Sequence, residues 1–261
     1  MNNLLLKQRY NPEGSDLRHL QYKMLDILKI VDRICKKYNL PYWLSSGTLL
    51  GAVRHGGFIP WDDDLDIEML REDYEKLIKI LPQELPEGYV LQDNMTDSNY
   101  VYLYAKVRDT NSKIREICKV NQEFEIGGVF IDIFPIEPVI PAFKRISSVL
   151  FNRLCYNLVL KKGCWRLLYN INYWILLHVV FPIFRFLTGL KNAKDYHYIY
   201  GISFLQERRN YDDIFPLKRI TFEGETFMAP NDCDAYLRKL YGDYMKLPDN
   251  IERHLMLNSG L

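Results

Sequence analysis

The sequence predicts a mixed α/β fold in which helices flank one sheet, and three observations support this prediction. Apolar residues recur at helical spacing over residues 17–38, which is typical of a helix that covers a sheet. A short strand, a tight turn and a second helix follow over residues 42–55. Residues 100–109 alternate in polarity, and residues 127–137 form a further strand-like run.

Length and composition indicate a single domain, residues 1–261, with a helical, aromatic-rich insertion at residues 138–215. A chain of 261 residues with 48% hydrophobic content can bury one large core. Its net charge of +1 argues against nucleic-acid binding through overall basicity. Five cysteines without a CxxC pair argue against a disulfide framework or a zinc site. No signal-peptide pattern opens the chain, so we expect a cytoplasmic protein.

The first long helix is predicted between Ser15 and Asn39. Ser15 is a favourable N-terminal cap, and Asn39 with Pro41 provides a stop. The apolar face of this helix is expected to cover the sheet.

Residues 42–55 predict an anion-binding turn. Residues 42–44 form a short buried strand, Ser45, Ser46 and Gly47 make a tight turn, and a helix runs from about Thr48 to residue 55. Unpaired N–H groups and the helix dipole favour an anion such as phosphate at that N-terminus.

Residues 64–69 are predicted to be a strand that carries two carboxylates on one face. Asp64 and Asp66 point one way, while Leu65 and Ile67 point into the core. Neighbouring carboxylates repel each other unless a cation lies between them, and oxygen ligands suit Mg²⁺ or Mn²⁺. A solvated acidic loop is the alternative, which the alternation and the upstream turn disfavour.

The next elements are a helix over residues 71–81 that ends at Pro82, a short strand from residue 90, and the strands 100–109 and 127–137. Lys106 is either solvent-exposed or placed to neutralise phosphate charge. Asp132 lies among large apolar residues, so its carboxylate needs a partner, such as a nearby arginine.

The insertion contains an apolar segment, residues 167–187, that is long enough to span a bilayer. Polar residues interrupt it, and Pro182 is expected to break it. Two interpretations stay open: helices packed within the insertion, or a helical hairpin over residues 161–191 in peripheral contact with the membrane interface, with basic residues near its ends. A hairpin at residues 219–229 and a helix that ends at Gly242 complete the prediction.

Four segments resemble the LicD family of phosphotransferases, whose fold belongs to the nucleotidyltransferase superfamily. The longest is SSGTLLGAVRHGGFIPWDDDLDIEMLREDYEKL at residues 45–77. The others are YLYAKVRD at 102–109, GVFIDIFPIE at 128–137, and FEGETFMAP with YLRKLYGDYMKLP within 222–248. The last piece is expected to fold back over the site. Arg253 and His254 are either candidate substrate contacts or part of a disordered tail.

The resemblance implies a reaction and a set of residues. The reaction is transfer of a phospho-substituent, most often phosphocholine from CDP-choline, to a hydroxyl of a cell-surface glycan or lipid-linked glycan, with release of CMP. Asp64, Asp66 and Asp132 would be the catalytic residues and would hold Mg²⁺ or Mn²⁺; Asp132 is alternatively the proton acceptor. The implied substrate contacts are Ser46, Gly47, Thr48, Arg54 and Lys106.

The identity of the donor stays open, because relatives in the family use CDP-ribitol. Two other classes of function are compatible with the fold. A nucleotidyltransferase would activate an alcohol phosphate from CTP and release pyrophosphate with the same carboxylates. A non-catalytic binding module would have lost the acids, and all three are present here.

Overall fold

The computed structural model describes residues 3–202, 208–248 and 257–258. It confirms the mixed α/β class, with helices flanking a curled mixed sheet. The strands are β1 (Trp43–Leu44), β2 (Asp66–Leu70), β3 (Tyr89–Gln92), β4 (Ala105–Asp109), β5 (Arg115–Glu116), β6 (Val129–Pro138), β7 (Asp195–Tyr198), β8 (Arg209–Asn210), β9 (Lys218–Phe222), β10 (Glu225–Ala229) and β11 (Leu257–Asn258). The α-helices are α1 (Asn3–Tyr10), α2 (Asp16–Tyr38), α3 (Ser46–His55), α4 (Arg71–Glu84), α5 (Pro141–Phe151), α6 (Cys164–Ile175), α7 (Phe181–Leu190), α8 (Tyr211–Ile214) and α9 (Cys233–Tyr241). Two π-helical segments, Asn152–Tyr156 and Leu176–Val180, continue α5 and join α6 to α7, and Asn121–Glu123 is a 3₁₀ turn.

The main sheet has the order β1-β2-β6-β4-β3, and β7 and β8 extend it from β6. The central pair, β2 and β6, is parallel, whereas the other pairs are antiparallel. The first half of β6 pairs with β4, and its last residues pair with β7. Helices α2 and α4 pack on this sheet. The sheet therefore places β2 and β6 side by side at its centre.

Helix α2 has the predicted limits. The Ser15 hydroxyl accepts a hydrogen bond from the Arg18 N–H at 3.3 Å, and Asn39 ends the helix in the left-handed conformation at φ 53°. Its apolar face, which includes Met24, Leu28 and Val31, is fully buried. This agreement follows from local signals, since caps and periodicity are both properties of the segment itself.

Two prolines do not end helices as the sequence predicted. Helix α4 continues past Pro82 to Glu84, because a proline in the last turn removes one hydrogen bond while Leu81 keeps its buried packing. Pro182 lies in the first turn of α7, directly after the wider π-helical turn at Leu176–Val180. Residues 164–190 therefore form one continuous helix.

Strand β4 is shorter and more buried than the alternation predicted. It begins at Ala105, and all of its residues are buried, because β3 and β6 pair with its two edges and α2 packs against it. Lys106 and Arg108 are consequently buried, at 2% and 0% exposed, and each forms an ion pair, Lys106 with Asp132 and Arg108 with Glu116. Alternation of residue types indicated a half-buried strand, but the neighbouring elements decided its exposure.

The region predicted as an insertion, residues 138–215, has two parts. Its helical part, from Pro141 to Leu190, encloses a second small core that includes Phe151, Cys155 and Phe181. From Asp195 the chain returns to the main sheet as β7 and β8. The predicted hairpin at residues 219–229 is present as β9 and β10.

Candidate active site

Two of the predicted carboxylates meet at the centre of the sheet. Asp66 is the first residue of β2 and is the register partner of Asp132 in the parallel strand β6. The Asp132 N–H donates to the Leu65 carbonyl at 2.9 Å, which fixes this register. Register partners on adjacent strands lie about 5 Å apart, so the two carboxylates project from the same face as neighbours.

Asp64 belongs to the loop before β2 rather than to the strand itself, because β2 begins at Asp66. It still faces the site: a side-chain carbon on Gly47 would lie 3.7 Å from its Oδ1 atom. The same carbon would lie 2.8 Å from Oδ2 of Asp62. Asp62 is thus a fourth carboxylate at the N-terminus of α3, which the sequence analysis did not assign. The Asp62–Asp63–Asp64 triplet was the signal that could have identified it.

The carboxylates raise one another's pKa values. Burial is the largest cause of the raised pKa of Asp66, and the charges of Asp64, Asp132 and Asp62 add to it. Burial also raises the pKa of Asp62, with further contributions from Asp64 and a hydrogen bond between the two side chains. Four acids in one place therefore favour protons or a cation.

Lys106 contacts this cluster directly. Its Nζ atom lies 2.5 Å from Oδ1 of Asp132 and 3.5 Å from the centre of the Phe130 ring. Burial lowers the pKa of Lys106. Burial raises the pKa of Asp132 to about 6, although the lysine opposes that rise. The partner of Asp132 is therefore a lysine on the neighbouring strand and not an arginine.

The turn before α3 is tightly built. Ser46 has a left-handed backbone at φ 48°, an unusual conformation for a residue other than glycine and one that is often found at functional sites. The Thr48 hydroxyl accepts a hydrogen bond from the Asp66 N–H at 2.8 Å, which ties α3 to β2. Ser46, Gly47 and Thr48 thus lie next to the carboxylates. Their contact with a phosphate stays a prediction.

Arg54 is not brought to the carboxylates. It lies eight residues beyond Ser46 on the same helix, about 12 Å along the helix axis. Its guanidinium group donates to His55 Nε2 at 2.9 Å and to the Tyr244 carbonyl at 2.7 Å. The structure therefore gives it a role in holding the C-terminal segment, and does not support its predicted contact with the substrate.

The segment that follows α9 contacts α3, since the Tyr244 carbonyl accepts a hydrogen bond from Arg54. Tyr241 is the last residue of α9, and its hydroxyl lies beside Ser46. Burial raises the pKa of Tyr241, and the nearby charges of Asp66, Asp64 and Asp62 raise it further. Tyr241 is a further site residue that sequence reasoning did not single out. Arg253 and His254 lie outside the described residues.

The carboxylate oxygens of the site suit a divalent cation that prefers oxygen ligands. Carboxylates that raise one another's pKa values are stabilised by a shared positive charge. Among residues 3–202, 208–248 and 257–258, however, no three His, Cys, Asp or Glu side chains already stand in the arrangement of a metal centre. Binding of a cation would therefore require these side chains to move together.

We expect Gly47→Ala to impair activity more than stability. The added carbon would lie 2.8 Å from Oδ2 of Asp62, so the carboxylate at the end of that side chain must shift. Turnover should fall at least roughly tenfold, while the melting temperature changes by only a few degrees. Gly189→Ala is the matched control, because nothing lies within 4 Å of its added carbon. Equal turnover in the two variants would contradict the close approach at Gly47.

Comparison with known proteins identifies a family. Residues 39–150, which include β1, β2, β4, β6 and the four carboxylates, match the family model described as LicD/FKTN/FKRP, nucleotidyltransferase domain.

Individual relatives agree with this match. The chain is 30% identical to the lipopolysaccharide cholinephosphotransferase LicD of Haemophilus influenzae over 254 residues, which cover 89% of this chain and 92% of that protein. It is 32% identical to the ribitol-5-phosphate transferase FKTN of Mus musculus over 79 residues, 30% of this chain and 17% of that protein. A 32-residue stretch, 12% of this chain, is 59% identical to the human ribitol 5-phosphate transferase FKRP and covers 6% of it.

Proposed function

The chain belongs to the LicD family, and we propose that it is a phosphotransferase that moves a substituted phosphate group from a CDP-linked donor to a hydroxyl of a cell-surface glycan. The observation that carries this proposal is the cluster of Asp62, Asp64, Asp66 and Asp132 at the N-terminus of α3. The names of the relatives support the reaction class, since they are cholinephosphotransferases and ribitol-phosphate transferases. By the same likeness, phosphocholine is the group that we propose is transferred.

Each part of the site has a function in this proposal. Ser46 and the amides that follow it bind donor phosphate oxygens at the start of α3. Lys106 holds the Asp132 carboxylate in place on the neighbouring strand. A Mg²⁺ or Mn²⁺ ion bound by Asp64, Asp66 and Asp132 would neutralise charge on the transferred phosphate. Tyr241 closes the site from the side of α9.

The sparse positive charge favours a diphosphate donor over a triphosphate. In the described part of the chain, Lys106 is the basic residue that contacts the carboxylates, and Asp132 already partners it. Arg54, the other predicted cation, lies at the far end of α3. A donor whose leaving group is CMP needs less charge neutralisation than a triphosphate that expels pyrophosphate.

Incubation with CDP-choline, Mg²⁺ and a lipopolysaccharide-derived glycan should release CMP and label the glycan with phosphocholine. CDP-ribitol and CDP-glycerol tested in parallel identify the head group that the site accepts. If no CDP-linked donor is consumed while CTP and an alcohol phosphate yield pyrophosphate, the chain is a nucleotidyltransferase and the proposal is wrong. A cytoplasmic location, where CDP-linked donors would be available, remains part of the same proposal.

A further inference from the structure

The helix that runs from Cys164 to Leu190 exposes a broad apolar face. By length and composition it is apolar enough to cross a membrane, and only 17% of its apolar stretch is buried in the described structure. We call the apolar surface on the solvent side the outer face; its main residues are 51–69% exposed and are Leu167, Trp174, Ile183, Phe186 and Leu190. A soluble monomer rarely leaves such a contiguous apolar surface in water.

Charge around the outer face is strongly one-sided. Residues 139–194 contain nine lysines and arginines and no aspartate or glutamate. The complete chain has a net charge of +1, so this segment of +9 is balanced by −8 elsewhere. The exposed basic residues of the segment are Arg145, Arg153, Lys161, Lys162, Lys191 and Lys194. A surface that joins apolar area to positive charge is complementary to an anionic lipid bilayer.

The opposite face of the same helix is attached to the protein along its length. Tyr169, Leu176 and Phe181 are buried in the second core. Near its end, Arg185 Nε lies 2.6 Å from Glu137 Oε2, and the Thr188 and Tyr200 hydroxyls are 2.7 Å apart. A helix held in this way cannot cross a bilayer unless these contacts break. It can, however, lie on the surface of the bilayer with its outer face immersed.

We propose that the outer face docks the protein on an anionic lipid bilayer, with the helix lying in the plane of the interface rather than across it. Trp174 on this face suits the boundary between headgroups and acyl chains, because indole rings are amphipathic. If the acceptor of the proposed function is a lipid-linked glycan, docking would bring the protein to the membrane that holds it. The docking itself does not depend on the proposed reaction.

Tryptophan fluorescence with vesicles tests the orientation. Trp43 and Trp61 are buried, whereas Trp165 and Trp174 are exposed; these two are nine residues apart and project from opposite sides of the helix, with Trp174 on the outer face. Phosphatidylcholine vesicles with one quarter phosphatidylglycerol should shift the emission to shorter wavelength. In Trp165→Phe, which keeps Trp174 as the tryptophan of the outer face, lipids brominated at several depths should place the indole at a shallow depth, and Trp174→Phe should lose the shift. A tryptophan at the bilayer centre would overturn the in-plane orientation.

Vesicle co-sedimentation tests the surface itself. Phe186→Ser/Leu190→Ser should weaken binding to the anionic vesicles at least roughly tenfold. Leu4→Ser/Leu5→Ser on α1 is the matched control, since those two leucines are 61% and 55% exposed but lie outside the outer face, and its binding should equal that of the wild type. Lys161→Gln/Lys162→Gln should weaken binding and reduce its dependence on salt.

Three results would overturn the proposal. The first is no binding to anionic vesicles, and the second is equal binding to vesicles of pure phosphatidylcholine. The third is a wild-type dimer in solution that Phe186→Ser/Leu190→Ser converts to a monomer, which would make the outer face a protein interface. Circular dichroism and the melting temperature of each variant establish that it is folded before its binding is compared.

Discussion

Asp66→Asn is expected to lower turnover at least ~1,000-fold, equivalent to about 4 kcal/mol, without lowering the melting temperature. Asp66 is buried among Asp62, Asp64 and Asp132, and burial with their charges raises its pKa. Its ionised form therefore costs stability near neutral pH, because the folded-state pKa lies above the unfolded value. Asparagine keeps the shape and removes that repulsion. Loss of activity with equal or greater stability is the result expected of a residue kept for catalysis.

The measurement is CMP release from whichever CDP-linked donor the wild type consumes, together with a thermal melt. Asp26→Asn on the exposed side of α2 is the control, with unchanged turnover and stability. Near-wild-type turnover of Asp66→Asn would contradict the assignment of Asp66 as a catalytic residue. Full activity in excess EDTA would contradict the predicted metal, even if the carboxylate proved essential.

Asp132→Asn should behave differently from Asp66→Asn. It should also abolish turnover, but it removes the ion-pair partner of the buried Lys106. An unpartnered buried ammonium group costs free energy, so the melting temperature should fall. The melting temperatures of the two variants therefore separate the effect of repulsion among the carboxylates on stability from the effect of the Lys106–Asp132 ion pair.

Arg209→Met is expected to destabilise the fold by roughly 3–5 kcal/mol, which lowers the melting temperature by about 10 °C. Arg209 Nη2 lies 2.5 Å from Oε1 of Glu68, and both side chains are almost fully buried. Glu68 also accepts hydrogen bonds from Trp43 Nε1 at 3.2 Å and from the Tyr236 hydroxyl at 2.8 Å. This network joins β1, β2, β8 and α9, and removal of the arginine leaves the Glu68 charge buried.

The adjacent residue provides the control for that prediction. Arg208 is 60% exposed and pairs with Asp195 at 3.2 Å. Exposed ion pairs contribute about 0–1 kcal/mol, so Arg208→Met should leave the melting temperature nearly unchanged. Chemical denaturation of both variants gives the comparison. Equal stability of the two would show that the buried pair contributes no more than the surface pair.

The sequence by itself determined the elements whose signals are local. The caps and apolar spacing placed α2 within a residue, and the sequence also placed the end of α3 and the hairpin of β9 and β10. Apolar neighbours around Asp66 and Asp132 indicated carboxylates on two core strands. Each of these predictions needed only the conformational preferences of adjacent residues, which a short window of sequence contains.

The tertiary structure alone decided which distant residues meet. It paired Lys106 with Asp132, added Asp62 and Tyr241 to the site, and placed Arg54 against the Tyr244 carbonyl. It also showed that residues 164–190 form one helix with an apolar outer face. Periodicity reports only which face of an element a residue occupies. Strand register, helix length and the packing of elements far apart in the chain decide what that face contacts, and those depend on the whole core.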